Sequence, residues 1–388
     1  MTPTELYNHI SETDGIPMQE LNPLQYELMQ IAEEAEGLRG ERQATGFTIP
    51  SDVAEVGQEV AKRIELYSQG NDIFAQALAA VEEINIPKRK SEVWAIIAAR
   101  LAEVGDIAQA NAVADKIYIP FNSSEKISAL LALYVATHDT AYMDRAAQAF
   151  ETISTATYAD KARVNLAVAQ AKVGNFEAAW NNAEAIASPI YKVDALTEIY
   201  VISQDTAHLD QALAVSETMQ NNTMEYKTGK KFLALALARL GRIGDAFDLK
   251  KKFTLFFDDV YIEIADFHAK SGDINQALSA CDSISHTLFK TKALAVVYAS
   301  THDPAILSAA FDCVTQISAP EWQADAYEAI AEAQAATGDI TEALETAERI
   351  NLPDLKALAL SAVAQAIFKE IGNPDSSDTQ LTSPETTS

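Results

Sequence analysis

Apolar residues recur along this chain with a helical rhythm at short range and a longer period above it. Nine alanines, Ala77, Ala110, Ala146, Ala179, Ala212, Ala246, Ala277, Ala310 and Ala343, follow one another at spacings of 33, 36, 33, 33, 34, 31, 33 and 33 residues. Seven residues after each stands a large apolar side chain: Ile84, Ile117, Ile153, Ile186, Met219, Phe253, Ile284, Ile317 and Ile350. Seven residues is close to two helical turns, so each pair shares one helix face. Such a period predicts helical units that bury their apolar faces on one another. The predicted fold class is all-α: a right-handed αα-superhelix (solenoid) of about nine helix-turn-helix repeats of ~33 residues.

The polar interruptions divide each unit. In AEAQAATGDITEALETAERI, residues 331–350, Gly338 ends a first helix and Asp339 is placed to cap a second. RLAEVGDIAQANAVADKI (100–117) and HAKSGDINQALSACDSI (268–284) read the same way. Pro87, Pro120, Pro189, Pro320 and Pro353 each follow a closing isoleucine by three residues, where proline fits the first turn of the next helix. A second turn type reads THDTA (137–141), SQDTA (203–207) or THDPA (301–305), with Asp139, Asp205 and Asp303 as caps. Twelve residues before the marker alanine, this type carries Tyr134, Tyr200 or Tyr298, where the glycine type carries Ala98, Ala167, Ala234, Ala265 or Ala331. The alternation of ring and methyl group is expected to set helix spacing and curvature.

The run G-D/N-x-x-x-A-L/A, at Gly338, Asp339, Ala343 and Leu344 and again at Gly272, Asp273, Ala277 and Leu278, resembles the turn and second helix of tetratricopeptide repeats. The resemblance covers residues 51–370 and implies a helical repeat array that binds a protein or peptide along its concave face. The Trp, Leu-Gly and Tyr signature of the tetratricopeptide first helix is absent, so none of the family's peptide-clamping residues is carried over.

Three segments follow. Residues 1–50 form an acidic N-terminal extension. In it, Asn22 and Pro23 open a helix with Leu24, Leu28, Ile31, Ala35 and Leu38 on one face, which serves as a cap or as a docking helix. Residues 51–370 form the array. Residues 371–388, rich in Ser, Thr, Pro and Asp, read as a disordered polar tail.

Charge narrows the partners. The formal net charge is −27, a field that disfavours nonspecific binding to nucleic acid or anionic membrane. Cys281 and Cys313 fall on second helices as buried thiols, with no disulfide framework. No basic, apolar leader opens the chain and no apolar run is long enough to span a bilayer, so the expected location is cytoplasmic, with non-classical secretion left open. Phosphate-loop, dinucleotide and zinc-protease motifs are missing, and histidines 9, 138, 208, 268, 286 and 302 are scattered. No catalytic residue, cofactor or metal site is expected.

One segment breaks the acidic pattern. Lys227, Lys230, Lys231, Arg239, Arg242, Lys250, Lys251 and Lys252 are opposed within their span only by Asp245 and Asp248. Phe253, Phe256, Phe257 and Tyr261 lie beside them, and the period slips here to 34 and then 31. Two readings stand. The bases pair with acidic neighbours while the aromatics fill an irregular core, or they form a site for an acidic or phosphorylated peptide beside an aromatic anchor at Phe256 and Phe257. Trp94 and Trp322 are further candidate contacts, with core packing the expected role of each. The functional expectation is a non-enzymatic protein- or peptide-binding scaffold or adaptor. The alternatives are a bacterial secreted effector or secretion-associated chaperone, a regulatory subunit of an enzyme complex, and a self-associating structural array.

Overall fold

The computed structural model describes residues 51–117, 123–221, 223–250 and 258–372. The expected helix after Asn22, residues 373–388, and Lys251, Lys252, Phe253, Phe256 and Phe257 lie outside them.

The described residues form eighteen α-helices and no strand. The first is long, α1 (Ser51–Glu82). There follow α2 (Pro87–Glu103), α3 (Ile107–Lys116), α4 (Ser123–Thr137), α5 (Thr140–Glu151), α6 (Ala156–Lys172) and α7 (Phe176–Glu184). Next come α8 (Pro189–Ser203), α9 (Thr206–Glu217), α10 (Met224–Arg239), α11 (Ile243–Lys250), α12 (Asp258–Lys270) and α13 (Ile274–Asp282). The last are α14 (Thr287–Thr301), α15 (Pro304–Thr315), α16 (Pro320–Ala336), α17 (Ile340–Glu348) and α18 (Pro353–Gly372).

Side-chain chemistry sets these boundaries. Asp106, Asp139, Asn175, Asp205, Asp273 and Asp303 each accept a hydrogen bond from a free backbone N–H of the helix they precede. Asp339 does not cap α17, contrary to the sequence expectation. Its carboxylate accepts instead from the Tyr298 hydroxyl and, at 2.8 Å, from Thr337 Oγ1. The two turn types share one backbone device. The residue before the cap is left-handed in both, supplied by glycine in one type and by His138, Gln204 or His302 in the other.

The chain divides into two compact units. One contains residues 51–75 and 364–372 among those described. In it, Tyr67 and Phe74 of α1 pack on Phe368 of α18, with ring centroids 5.5 and 5.9 Å apart.

The other unit is Gln76–Val363. Its even-numbered helices form one layer, with α2 packing on α4, α4 on α6 and so on to α14 on α16. Each odd-numbered helix from α3 to α17 packs on the even helix before it. All nine marker alanines are buried. Six of the large apolar partners, Ile117, Ile186, Met219, Ile284, Ile317 and Ile350, are buried with them, while Ile84 and Ile153 are half-buried.

A recurring ion pair crosses the links between helix pairs. Lys90 meets Glu82 at 2.6 Å, Lys192 meets Glu184 at 3.3 Å, Lys290 meets Asp282 at 2.9 Å and Lys356 meets Glu348 at 2.7 Å. Each pair is eight residues apart, joining the end of one odd helix to the first turns of the next even helix. Asp160 ties adjacent pairs differently. Its buried carboxylate accepts from the backbone N–H groups of Ala187 and Ser188, at 3.1 and 2.8 Å, just before α8.

Candidate partner-binding cleft

The basic segment occupies α10, the turn after it and α11. Thr223 caps α10 by accepting from the Tyr226 N–H. This places Lys227, Lys230 and Lys231 in the early turns, Arg239 at the end, Arg242 in the following turn and Lys250 at the end of α11.

Among the described side chains, most of these charges are already met. Lys230 is only 3 % exposed. Its ammonium donates to Ser216 Oγ at 3.0 Å and to the Glu217 carboxylate, and it lies over the Tyr226 ring at 5.3 Å. Lys231 pairs with Asp259 at 2.7 Å. Arg239 spans three even helices, reaching Glu198 of α8 at 2.7 Å and Glu263 of α12 at 3.1 Å. Arg242 pairs with Asp245 at 2.6 Å and donates to the Tyr200 hydroxyl at 3.3 Å. Lys227 is half-buried.

The structure therefore separates residues that the sequence groups together. Lys230 faces inward, whereas Arg239 lines an open cleft of about 420 Å³. The other walls are Glu263, Asp266, Phe267, Lys270 and Ser271, from α12 and the turn after it. Lys270 pairs with Asp266 at 2.6 Å, and Ser271 Oγ donates to the Phe267 carbonyl at 2.7 Å. Gly241 explains how Phe267 reaches this position. A Cβ at Gly241 would lie 2.2 Å from the Phe267 ring, and its φ of +73° is itself unfavourable for other residues.

The electrostatics behind the cleft are asymmetric. Burial, reinforced by Glu198, pushes the Asp194 carboxyl up to about 6, while Arg239 opposes the shift. Burial pulls the Arg239 guanidinium down, but Glu263 and Glu198 outweigh it and leave it raised. A similar group lies elsewhere on the even-helix layer. Burial, with Glu332 and Asp325, pushes Glu328 up to about 7, against Lys292 and Arg100.

The lining residues of α12 escape a reading confined to the basic run. A signal for their involvement was present in the repeat period. An acid one unit away can meet a base at the same helical level, as Lys292 meets Asp325, 33 residues on, at 2.8 Å.

The two tryptophans part company. Trp94 is half-buried under the Lys90 ammonium, 5.2 Å from its ring centre. Trp322 is 51 % exposed, which corrects the expectation of core packing. It stands in the first turn of α16 with its ring centre 4.9 Å from that of His286 and the two planes 64° apart. Cys281 and Cys313 are free and buried, and burial pushes the Cys281 thiol up to about 12.

No protein-family model and no curated protein matches this chain. Among solved structures it is similar to Ton1535 from Thermococcus onnurineus NA1. The two are 17% identical, the match covers 79% of this chain and 99% of that one, and the TM-score is 0.32. Among the described residues, no helix is long and apolar enough to cross a membrane, and no group of His, Cys, Asp and Glu is arranged to hold a metal.

Proposed function

We propose that the chain is a non-enzymatic scaffold or adaptor that binds a protein or peptide segment, with the α10–α12 cleft as a contact site. In this reading the helix pairs form a right-handed, tetratricopeptide-like superhelix of about nine repeats, with the even helices on its concave side. The observation that supports it is the cleft itself. It places a half-buried ring, Phe267, between a basic pair of side chains, Arg239 and Lys270, and an acidic pair, Glu263 and Asp266. An aromatic anchor flanked by both charges suits a peptide with an apolar side chain beside charged ones.

The charge-reversal test moves accordingly. Lys230 is buried and paired, so reversing it would damage the fold before it touched a partner. Phe267→Ala with Lys270→Glu changes the cleft while leaving Lys230 intact. Affinity capture by the full chain and by this variant, with quantitative mass spectrometry, is expected to show one interactor lost and the remainder unchanged. Identical interactor sets for the two chains would remove the cleft from the binding surface.

The raised pKa of Asp194 favours one second reading, the regulatory subunit of an enzyme complex, because it leaves a proton near neutrality beside the Arg239 cluster. Asp194→Asn separates the two readings: a scaffold keeps its partner and the partner's activity, while a subunit contributing that proton loses the activity alone.

A further inference from the structure

Arg89 and Arg100 of α2 are eleven residues apart, about three helical turns, and so share one stripe of the helix. Both reach across to the far end of the same unit. Arg89 Nε donates to Asp354 Oδ2 of α18 at 2.6 Å. Arg100 donates to the Leu358 carbonyl, to Ser361 Oγ at 2.7 Å and to the Glu332 carboxylate of α16. Asp354, Leu358 and Ser361 lie four and then three residues apart, which places them on one stripe of α18.

The direction of these contacts matters. The lower-numbered arginine meets the lower-numbered acceptor, so α2 and α18 run parallel. Consecutive even helices are tied in the same sense, through Lys231 to Asp259 between α10 and α12, and Lys292 to Asp325 between α14 and α16. Thus α2 occupies the place beside α18 that a following even helix would take. Ser361 is fully buried, and the Arg100 side chain is largely withdrawn from solvent. This contact is therefore more than two surface side chains brushing past each other. An open repeat array leaves its first and last helices each with one unpartnered flank; here those two flanks partner one another.

We infer that Arg89 and Arg100 form a clasp that closes the even-helix layer of Gln76–Val363 on itself, so that release of these two arginines opens the array. A guanidinium suits the task because its planar fork holds several acceptors at once: Arg100 holds a carbonyl, a hydroxyl and a carboxylate from two helices. Opening separates Arg89 and Arg100 of α2 from α16 and α18, while Tyr67 and Phe74 of α1 stay packed on Phe368 of α18. It changes the curvature of the layer as a whole, including the face from which the proposed cleft opens. The clasp stands apart from the binding reading, and each can fail alone.

The test is a distance measurement on the full chain. Lys88→Cys on α2 and Glu345→Cys on α17 place spin labels at exposed sites, while Cys281 and Cys313 are buried away from the reagent. The labelled parent is expected to give a single short, narrow distance distribution. Arg89→Ala with Arg100→Ala is expected to lower the short-distance population roughly fivefold or more. Lys292→Ala, which breaks a pair between consecutive helices, is expected to leave it in place. Exchanging one pair's charges, Arg89→Asp with Asp354→Arg, is expected to keep it as well. A long or broad distribution in the parent overturns the clasp whatever the variants do, and so does an unchanged distribution in the folded double-alanine variant.

Discussion

The stretch from α10 to α12 and the stretch from α14 to α17 are built from the same unit but hold their charges differently. In the second, Lys290 latches onto Asp282 eight residues back, Asp303 caps α15 and the period is 33 on both sides. In the first, the latch moves to Lys230 and Glu217, thirteen residues apart, and Arg239 draws acids from two other helices. Both stretches also pair across helices, as Lys292 with Asp325 shows in the second, but where the period slips to 34 and then 31 Arg239 holds acids on both flanking even helices, and the cleft lies beside it.

The sharpest way to break this comparison is at the two glycines that mark the turns. Gly241→Ala drives a Cβ into Phe267 and adds backbone strain, and is expected to cost about 3 kcal/mol or more. Gly338→Ala has the strain alone, since nothing lies within 4 Å, and is expected to cost about 1–2 kcal/mol. Urea unfolding of both variants measures the gap. Equal losses would mean that Phe267 does not press on the Gly241 turn.

The latches come next. Lys230→Ala removes a buried ammonium from Ser216 and Glu217 and is expected to cost about 1–3 kcal/mol. Lys356→Ala removes a pair whose acid, Glu348, is well exposed, and is expected to cost about 0.5 kcal/mol. A loss at Lys356 as large as that at Lys230 would show that an exposed latch holds the fold as firmly as a buried one.

Protonation gives a smaller effect of definite sign. Asp194 and Glu328 titrate at about 6 and about 7 in the folded chain, against ordinary values of 3.8 and 4.5. The folded state therefore binds these protons more tightly than the unfolded state does. Their destabilising influence is complete above the folded values and fades as pH falls towards the ordinary ones. Asp194→Asn with Glu328→Gln is expected to gain stability over the parent at pH 8 and to lose that advantage by pH 4. A stability difference that does not vary across this range would contradict the burial assigned to both carboxyls.

The smallest effect belongs to the left-handed residues. His302→Gly relieves a φ of +54° but loosens the unfolded chain, so a net change within about 1 kcal/mol of zero is expected from thermal or urea melts. A loss well beyond that would give the His302 side chain a role of its own.

The helical character was legible in the sequence because alanine, isoleucine, glycine and proline report on backbone and core locally. Ala343 and Ile350 are buried, as their shared face requires, and Pro353 opens α18. Asp339 looked like its counterparts Asp106 and Asp273, but its carboxylate bonds to Thr337 beside it and to Tyr298, 41 residues earlier, and the second of these competitors lies outside any local window. The described bases Lys230, Lys231 and Arg239 of the basic segment likewise find their partners outside it. Lys230, Arg239 and Arg242 are near neighbours in sequence, yet their acids lie between 3 and 41 residues away. The latches at Lys90, Lys192, Lys290 and Lys356 were visible as acids eight residues upstream, but that spacing becomes meaningful only once the link between helices is known to turn back on itself.

These latches and the arginine clasp also differ in when they can form. Glu348 and Lys356 are eight residues apart, so little chain entropy stands between them and contact. Arg89 and Asp354 are separated by 265 residues, and loop closure over that length costs about 3 kcal/mol more than over eight residues. Pairs of the first kind can order each boundary while neighbouring helices are still arriving. The clasp gains its partner only after the intervening helices have brought the two ends together, so it is expected among the last contacts made and the first lost.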